Sequence, residues 1–347
     1  MPVLSFVRTR IRNAPHRRGI FILDGKVMRS LLRRLCLLLV AAATSAIAQD
    51  YPTKPVRFIV PYAPGGSSDV IARILGQKLN EALGQTFIVD NRPGAGSMIG
   101  TDIAAKSAPD GYTIILSDMP HTINPAVYSK VPYDPIKDFS PITVVGTSAM
   151  FLFTHPSVQA QTVKEFITLA KSQPGKIAIG SGGNGTTTHL SAELFQARAG
   201  IKLTHVPYKG AGPALVDVVA GQIPATFTSM ATAAPHVKAG KLRVLAVTSV
   251  KRIPSLPEVP TFTESGVGDF VVEHWWGVLA PADVPKPIVA KLREAIVQAV
   301  NAPDVRERFA GLALQPTTNT PEQFRLLLES DVKRWAKVVK DTGVKAN

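Results

Sequence analysis

Hydrophobic residues in the first half of the chain alternate between short apolar runs and longer segments with helical spacing. Strand-like runs at 56–62, 87–90 and 112–116 enclose helix-like segments at 67–83 and 98–105. The apolar face of the first helix consists of Val70, Ile71, Ile74, Leu75 and Leu79. Gly84 follows that helix as a typical end signal. This βαβαβ order predicts a parallel sheet with helices on both faces.

The same alternation restarts after residue 160 and indicates a second unit. Its elements are helices at 163–172, 187–199 and 213–220 and strands at 177–179, 202–206, 225–228 and 242–248. The proline-rich segment 252–262 then interrupts the pattern, and helices at 288–301, 305–310 and 321–339 form a C-terminal tail. We therefore predict an α/β protein with two lobes, each a mainly parallel sheet flanked by helices.

Two long apolar strands, 141–154 and 270–279, are placed to cross between the lobes as a hinge. We predict that lobe 1 comprises 49–150 plus 270–347 and that lobe 2 comprises 151–269. Ligands of such sheets bind beyond the carboxyl ends of the strands, which predicts a cleft between the lobes. Two rigidly docked domains without closure are the alternative.

The N-terminal region predicts export. A basic segment at 28–34 precedes an apolar run at 35–43, and Ala46 and Ala48 provide the small residues of a cleavage site. The apolar run is much shorter than the roughly 20 residues that span a membrane. We expect a signal peptide at 28–48, cleavage after Ala48 and a periplasmic location. Since a signal peptide begins with its basic segment, our hypothesis is that translation starts at Met28 and that 1–27 is a mis-annotated upstream extension.

Charge and cysteine content exclude several classes of function. Of the formal net charge of +14, the leader accounts for +8 and the remaining chain for +6. No dense Lys/Arg run with interleaved aromatics occurs, so we predict no nucleic-acid partner. The one cysteine, Cys36, lies in the leader, which excludes a disulfide or a cysteine metal site downstream of it. We expect no metal and no cofactor.

Glycine and hydroxyl residues concentrate in four strand-to-helix turns, at 62–69, 91–97, 117–122 and 180–188. Glycine lets the backbone approach a ligand closely, and the helix that follows offers unpaired N–H groups that suit an anion. Tight structural connections are the alternative for any single turn. Four such turns favour a binding site.

The turn "GSGGNG" at 180–185 matches a dinucleotide-binding pattern, but its context does not. That fingerprint requires an acidic residue about 20 positions later, and the strand at 202–206 ends without one. Hydroxyl residues crowd the helix start that follows: Ser181, Thr186, Thr187 and Thr188. One of them is expected to cap the helix, and the others to donate hydrogen bonds to a carboxylate.

Several motifs together resemble one family, the Bug-type, TctC-like extracytoplasmic receptors of tripartite tricarboxylate transporters. They include "YAPGGSSDVIAR", "NRPGAGSMIG", "APDGYT", "GSGGNGTTTHLSAELF", "HVPYKGAGPALVDVVAGQ" and "HWWGVLAP". The resemblance implies a two-lobed, type II-like periplasmic binding protein that closes on a small carboxylate. It also implies delivery of that solute, without chemistry, to the large and small membrane subunits of a permease. We expect a monomer.

The resemblance also implies which residues contact the ligand. They are Tyr62, Ala63, Pro64, Gly65, Gly94, Ala95, Gly96, Ser181, Gly185, Thr186, Thr187, His189, Tyr208, Thr228 and Trp275. The chain departs from the family pattern at Thr228, where an aspartate is frequent, and at Asp118, where small residues are usual. Asp118 either adds a partner for an ammonium group or repels a second carboxylate.

Two other classes of function remain open from the sequence. No G-x-S-x-G or H-E-x-x-H motif occurs, so an exported hydrolase would be of unfamiliar type. A sensor that presents its closed form to a membrane protein would need the same receptor fold. His189 and His205 are interpreted as packed histidines rather than catalytic ones, and Trp275 either stacks on a ligand or fills the hinge.

Overall fold

Two β-sheets with flanking helices form the part of the chain that the computed structural model describes, residues 51–342. The predicted upstream extension 1–27 and signal peptide 28–48 lie outside the described residues. The first sheet has the order β11-β4-β10-β3-β1-β2, and the second has the order β7-β6-β8-β5-β9. The strands are β1 (Val56–Val60), β2 (Phe87–Asn91), β3 (Thr113–Asp118), β4 (Phe139–Ala149), β5 (Phe151–Thr154), β6 (Ala178–Ser181), β7 (Thr204–Pro207), β8 (Ala225–Thr228), β9 (Arg243–Val247), β10 (Glu273–Pro281) and β11 (Gln315–Pro316).

Ten α-helices cover the two sheets within the described residues, and a short 3-10 helix, Ala95–Ser97, precedes the second of them. The helices are α1 (Ser67–Leu83), α2 (Met98–Ala105), α3 (Pro120–Val127), α4 (Val163–Ser172), α5 (Thr187–Ala199), α6 (Ala211–Val219), α7 (Met230–Lys238), α8 (Lys286–Asn301), α9 (Pro303–Gly311) and α10 (Pro321–Thr342). Within residues 51–342, no helix combines the length and the apolar character that crossing a membrane requires.

The two-lobed α/β architecture is confirmed, but the prediction of mainly parallel sheets is wrong because both sheets are mixed. In the first sheet β1 pairs parallel with β2 and β3, whereas β10 runs antiparallel to β3 and β4. In the second sheet β6 pairs parallel with β7 and β8, whereas β5 runs antiparallel to β8 and β9. The antiparallel pairs involve β4, β5 and β10, the strands at the crossings. β5 and β10 each enter their sheet from the other sheet rather than through a local βαβ crossover, and β4 leads out of the first sheet.

Both crossings between the sheets are present and meet at one side chain. The chain leaves the first sheet at the end of β4, passes Met150 and enters the second sheet as β5; it returns to the first sheet as β10. The Met150 N–H donates to the Thr248 hydroxyl at 2.9 Å, and that hydroxyl donates to the Val272 carbonyl at 2.6 Å. Thr248 therefore links both crossings. The residue bounds proposed for the two lobes stay a prediction.

Each sheet is held by its own apolar core. Helices α1 and α8 pack on one face of the first sheet around Phe58 and Ile296, and α3 and α10 cover the other face around Phe324. In the second sheet a cluster of phenylalanines packs edge to face and tilted: Phe195, Phe227, Phe262 and Phe270. Each of these fully buried rings contributes roughly 1.5–3 kcal/mol of transfer free energy.

Burial of His121 in α3 makes the stability of the first lobe depend on pH. Its Nε2–H donates to the Pro135 carbonyl at 2.8 Å, and burial lowers the pKa of His121 to about 4. Between that value and the usual 6.5, the unfolded chain binds a proton that the folded chain does not. We therefore expect the free energy of unfolding to fall as the pH drops from 6.5 to 4, by at most about 3 kcal/mol from this residue. Urea unfolding at both pH values should show a smaller fall for His121→Gln, and an equal fall would contradict this assignment.

Candidate ligand-binding site

A cavity between the two sheets, here called the cleft cavity, lies beyond the carboxyl ends of β1, β3, β6 and β8. This is the edge at which ligands bind in α/β sheets. It is lined by Tyr62, Gly66, Ser67, Ser68, Asp118, Pro120, Met150, Gly182, Thr186, Thr187, Thr188, Ala211, Thr228, Ser229, His274 and Trp276. Both lobes contribute to this lining, so a solute held here contacts both of them.

The N-termini of five helices, α1, α3, α5, α6 and α7, meet at the cleft cavity. Their first residues or caps supply part of the lining: Ser67, Pro120, Thr187, Ala211 and Ser229. The first N–H groups of a helix lack partners within that helix, and its start carries a partial positive charge. The convergence favours an anion, and no lysine or arginine is among the lining residues.

Hydroxyl groups add donors beside the helix starts. Thr186 caps α5, because its hydroxyl accepts the His189 N–H and donates to the Gly183 carbonyl at 2.6 Å. The Thr188 hydroxyl accepts the Gly182 N–H at 2.8 Å, which fixes the turn before α5. Ser229 precedes α7 and is 2% exposed, and its hydroxyl has no hydrogen-bond partner among the described residues. Since buried polar groups are normally paired, Ser229 is a donor available to a ligand.

A chain of polar contacts runs across the cavity from one lobe to the other. The Tyr62 hydroxyl donates to Asp118 Oδ1 at 2.9 Å, and His274 Nε2 lies 3.5 Å from Asp118 Oδ2. On its other side, His274 Nδ1 shares a hydrogen bond of 2.8 Å with the Thr187 hydroxyl of the second lobe. Burial and the negative charge of Asp118 raise the pKa of Tyr62 well above its usual value. Tyr62 therefore stays protonated and acts as a donor.

The lobes are in direct contact around the cavity, so the structure shows a closed arrangement. The Ala63 N–H donates to the Lys209 carbonyl at 3.0 Å, and the Tyr128 hydroxyl donates to the Asn184 carbonyl at 2.7 Å. Backbone atoms of Gly212 also lie against Gly65 and Gly66 of the turn at 62–69, here called the first turn. Without a side chain on Gly212, α6 reaches a distance from the first lobe that a larger residue would prevent.

The predicted ligand contacts divide among two neighbouring cavities and the surrounding turns. Tyr62, Thr186, Thr187 and Thr228 line the cleft cavity. Tyr62 also lines a second, adjoining cavity together with Gly94, Ala95, Gly96 and Tyr208. The structure thus brings these residues of both lobes together, and their contact with a ligand stays a prediction.

Three predicted residues of the first turn lie where the lobes meet rather than in either cavity. Ala63, Pro64 and Gly65 contact the segment 209–212 of the second lobe. The Gly65 N–H donates to Asp69 Oδ2 at 3.1 Å, so Asp69 holds the turn in shape. Their role in this structure is to form the contact between the lobes.

Ser181, Gly185 and His189 support the turn at 180–188 from within the second lobe. The Gly185 N–H donates to His189 Nδ1 at 3.2 Å, and the His189 ring stacks on His205 at 4.1 Å between centroids. His205 Nε2 in turn shares a 2.6 Å hydrogen bond with the Ser181 hydroxyl. Burial, with the neighbouring His205 ring, lowers the pKa of His189 to about 4, so His189 is neutral at pH 7. These contacts match the packed role interpreted for both histidines.

Trp275 lies on the face of β10 that points away from the cleft cavity. Its indole N–H donates to Asp331 Oδ2 at 2.7 Å, and its ring packs edge to face on Phe324. Side chains alternate between the two faces of a strand, so His274 and Trp276 line the cavity instead. Trp275 therefore joins β10 to α10.

Several of the lining residues are not among the predicted contacts, including Ser229, His274 and Trp276. His274 and Trp276 belong to the same motif as Trp275, and strand alternation offered the signal that one of the two tryptophans faces the other way. Ser229 directly follows the predicted strand 225–228, a position at which a serine commonly caps a helix. Among the described residues, no group of three or more His, Cys, Asp or Glu side chains is placed to hold a metal ion.

The sequence and the structure of this chain are similar to those of proteins from one family. The family model described as Tripartite tricarboxylate transporter family receptor matches residues 71–344. Protein BugT of Bordetella pertussis is 38% identical over 323 residues, which cover 91% of this chain and 99% of BugT. Two solved structures are similar along most of their length. R. palustris Rpa4515 with adipate has a TM-score of 0.82 and 34% identity over 85% of this chain and 99% of its own. MatC from Rhodopseudomonas palustris with bound malate has a TM-score of 0.80 and 31% identity, over 83% of this chain and 100% of its own.

Proposed function

The chain belongs to the tripartite tricarboxylate transporter receptor family, and we propose that it captures a small carboxylate-bearing solute in the cleft cavity. The observation that carries this proposal is the convergence of five helix N-termini on one cavity between the lobes. Each start offers N–H donors and partial positive charge, and the cavity lining contains a single acidic residue, Asp118. The relatives bound to adipate and malate support a carboxylate as the class of ligand.

Capture would proceed by closure of the lobes around the solute. The carboxylate would accept hydrogen bonds from helix-start N–H groups and from hydroxyls such as those of Thr187 and Ser229. The contact between His274 and Thr187 would form on closing, because its two partners belong to different lobes. Neutral donors bind an anion while allowing its release, which suits a receptor that must pass its solute on.

Delivery to the large and small membrane subunits of a tripartite tricarboxylate transporter is the second part of the proposal. It includes export to the periplasm by the signal peptide 28–48, cleavage after Ala48 and action as a monomer. The family supports a receptor rather than an enzyme. Sensing by a membrane signalling protein needs the same closed form. Uptake of labelled solute in a strain that lacks the two membrane subunits separates the two roles, since only transport requires those subunits.

A thermal-shift screen tests capture of a carboxylate. Each acid of a panel of mono-, di- and tricarboxylates is paired with the amide of the same carbon skeleton, which keeps the shape and removes the charge. At 100 times its dissociation constant, a ligand stabilises the folded protein by about 2.7 kcal/mol, which raises the melting temperature by several degrees.

We expect at least one acid to raise the melting temperature and its amide to leave it unchanged. A panel in which no acid acts, or in which acids and amides act alike, would overturn the proposal. Turnover of any compound would favour the hydrolase alternative instead.

A further inference from the structure

Asp118 places a carboxylate in a cavity otherwise built to receive an anion. The residue ends β3, lines the cleft cavity and is 5% exposed. Its Oδ1 accepts the Tyr62 hydroxyl at 2.9 Å, and its Oδ2 lies 3.5 Å from His274 Nε2. An ionised carboxylate can accept about four hydrogen bonds. Two such contacts are present, so acceptor capacity remains on a carboxylate that lines the cavity.

The surroundings of Asp118 leave its charge unpaired by any permanent cation in the lining. Neither lysine nor arginine contributes to the cleft cavity. A buried charge is costly unless it is paired and hydrogen-bonded. Of the lining residues only His274, whose Nε2 lies 3.5 Å from Asp118 Oδ2, carries a positive charge when protonated. The solute can supply a permanent positive charge, because Asp118 lines the cavity that the solute would occupy.

We propose that the solute carries a protonated amine in addition to its carboxylate and that Asp118 binds the ammonium group. This inference rests on the proposed function. The carboxylate end contacts the helix starts of the second lobe near Thr187 and Ser229, and the ammonium end contacts Asp118 on the first lobe. A second carboxylate in that position would meet a like charge at short range, which disfavours dicarboxylates. Asp118 is then a specificity-determining residue.

Adipate and malate, seen with two of the similar proteins, carry no ammonium group. The proposal therefore distinguishes the solute of this chain from those two ligands. Thr228 is consistent with it, since the cavity places a neutral hydroxyl rather than a second carboxylate on the opposite lobe. One carboxylate in the lining matches one ammonium group in the solute.

Calorimetric titration with matched compounds tests the proposal. ω-Amino acids are compared with dicarboxylates of the same number of methylenes: β-alanine with succinate, 4-aminobutyrate with glutarate, and 5-aminopentanoate with adipate. Alanine and propionate form a pair that tests an α-ammonium group. We expect the amino member of at least one pair to bind about 100-fold more tightly than its partner, the scale for loss of a buried charge pair. In Asp118→Asn we expect that preference to shrink to about 10-fold or less.

The control is Asp283→Asn, which makes the same change at an exposed position outside the cleft cavity and should keep the wild-type preference. Should Asp118→Asn fail to fold, Asp118→Ser is measured in its place. The ratio of the two wild-type affinities within each pair of compounds tests the proposal without any variant. If the dicarboxylates bind the wild type and no pair shows tighter binding of its amino member, the Asp118 assignment is overturned and carboxylate capture stands. An unchanged preference in Asp118→Asn also overturns the Asp118 assignment. If no compound of either series binds, this proposal fails, and the panel of mono-, di- and tricarboxylates decides on carboxylate capture separately.

Discussion

Gly212→Ala is expected to hold the lobes apart and to weaken solute binding about 100-fold. A Cβ at this position would lie 2.7 Å from the Pro64 carbonyl oxygen, 2.8 Å from the Gly65 carbonyl carbon and 2.9 Å from the Gly66 nitrogen. All three are backbone atoms of the first turn, which cannot rotate away as a side chain can. Relief therefore requires the lobes to separate. A penalty of about 3 kcal/mol on the closed state lowers the affinity by roughly 100-fold.

The same variant should fold normally, because alanine is a better helix former than glycine and the overlap exists only in the closed state. Calorimetry measures the affinity, and small-angle X-ray scattering measures the radius of gyration with solute present. Gly76→Ala is the matched control, since a Cβ there makes only an ordinary contact of 3.6 Å within the first lobe. An affinity of Gly212→Ala equal to that of the control would show that closure does not depend on this contact.

Thr187→Val is expected to weaken solute binding by about 10- to 100-fold with little loss of stability. Valine keeps the shape of threonine but removes the hydroxyl that contacts His274 across the lobes and lines the cavity. Loss of such a hydrogen bond, with the buried partner left unpaired, costs about 1–3 kcal/mol. Because both partners meet only in the closed arrangement, the cost falls on the bound state. Calorimetric affinity and thermal unfolding of the free protein together check this expectation.

Thr186→Val provides the contrast at the neighbouring position. Thr186 caps α5, so its replacement should lower the free energy of unfolding of the solute-free protein by about 1 kcal/mol. Thr187 does not cap the helix. If Thr187→Val destabilised the free protein as much as Thr186→Val and left the affinity unchanged, the hydroxyl of Thr187 would have only a local structural role.

Helix bounds were predictable from the sequence wherever local signals agreed. The predicted bounds of α1, α2, α4 and α5 match the structure. Periodic apolar positions support α1, a capping threonine begins α4 and α5, and a glycine follows α1 and α5. Helices α3 and α7 were not predicted, because a proline inside a segment normally indicates that a helix ends there. These prolines are Pro125 in α3 and Pro235 in α7. Tertiary packing stabilises these two helices although their sequences argue against them.

The site was only partly predictable, because its lining depends on which turns the strand order brings together. The turns after β1, β3 and β6 carry recognisable glycines or hydroxyls. The face of β10 carries no such signal, since both Trp275 and Trp276 are apolar and either could face the cleft. The pairing of β10 with β3 and β4, including the register shift between Trp276 and Gly277, determines which of the two tryptophans faces the cleft. Ser229 likewise becomes part of the site only because β8 lies at the centre of its sheet.

Calorimetric titration of the wild-type protein with a carboxylate and with its amide shows whether the cleft cavity recognises the carboxylate group itself. The acid is the one that raises the melting temperature most, and the amide has the same carbon skeleton. If helix starts and hydroxyls between the lobes bind a carboxylate, the acid binds and the amide binds at least about 100-fold more weakly, since hydrogen bonds to a charged acceptor are the stronger ones. Equal affinities for the two compounds would contradict the account, because the cleft would then recognise shape and not the carboxylate.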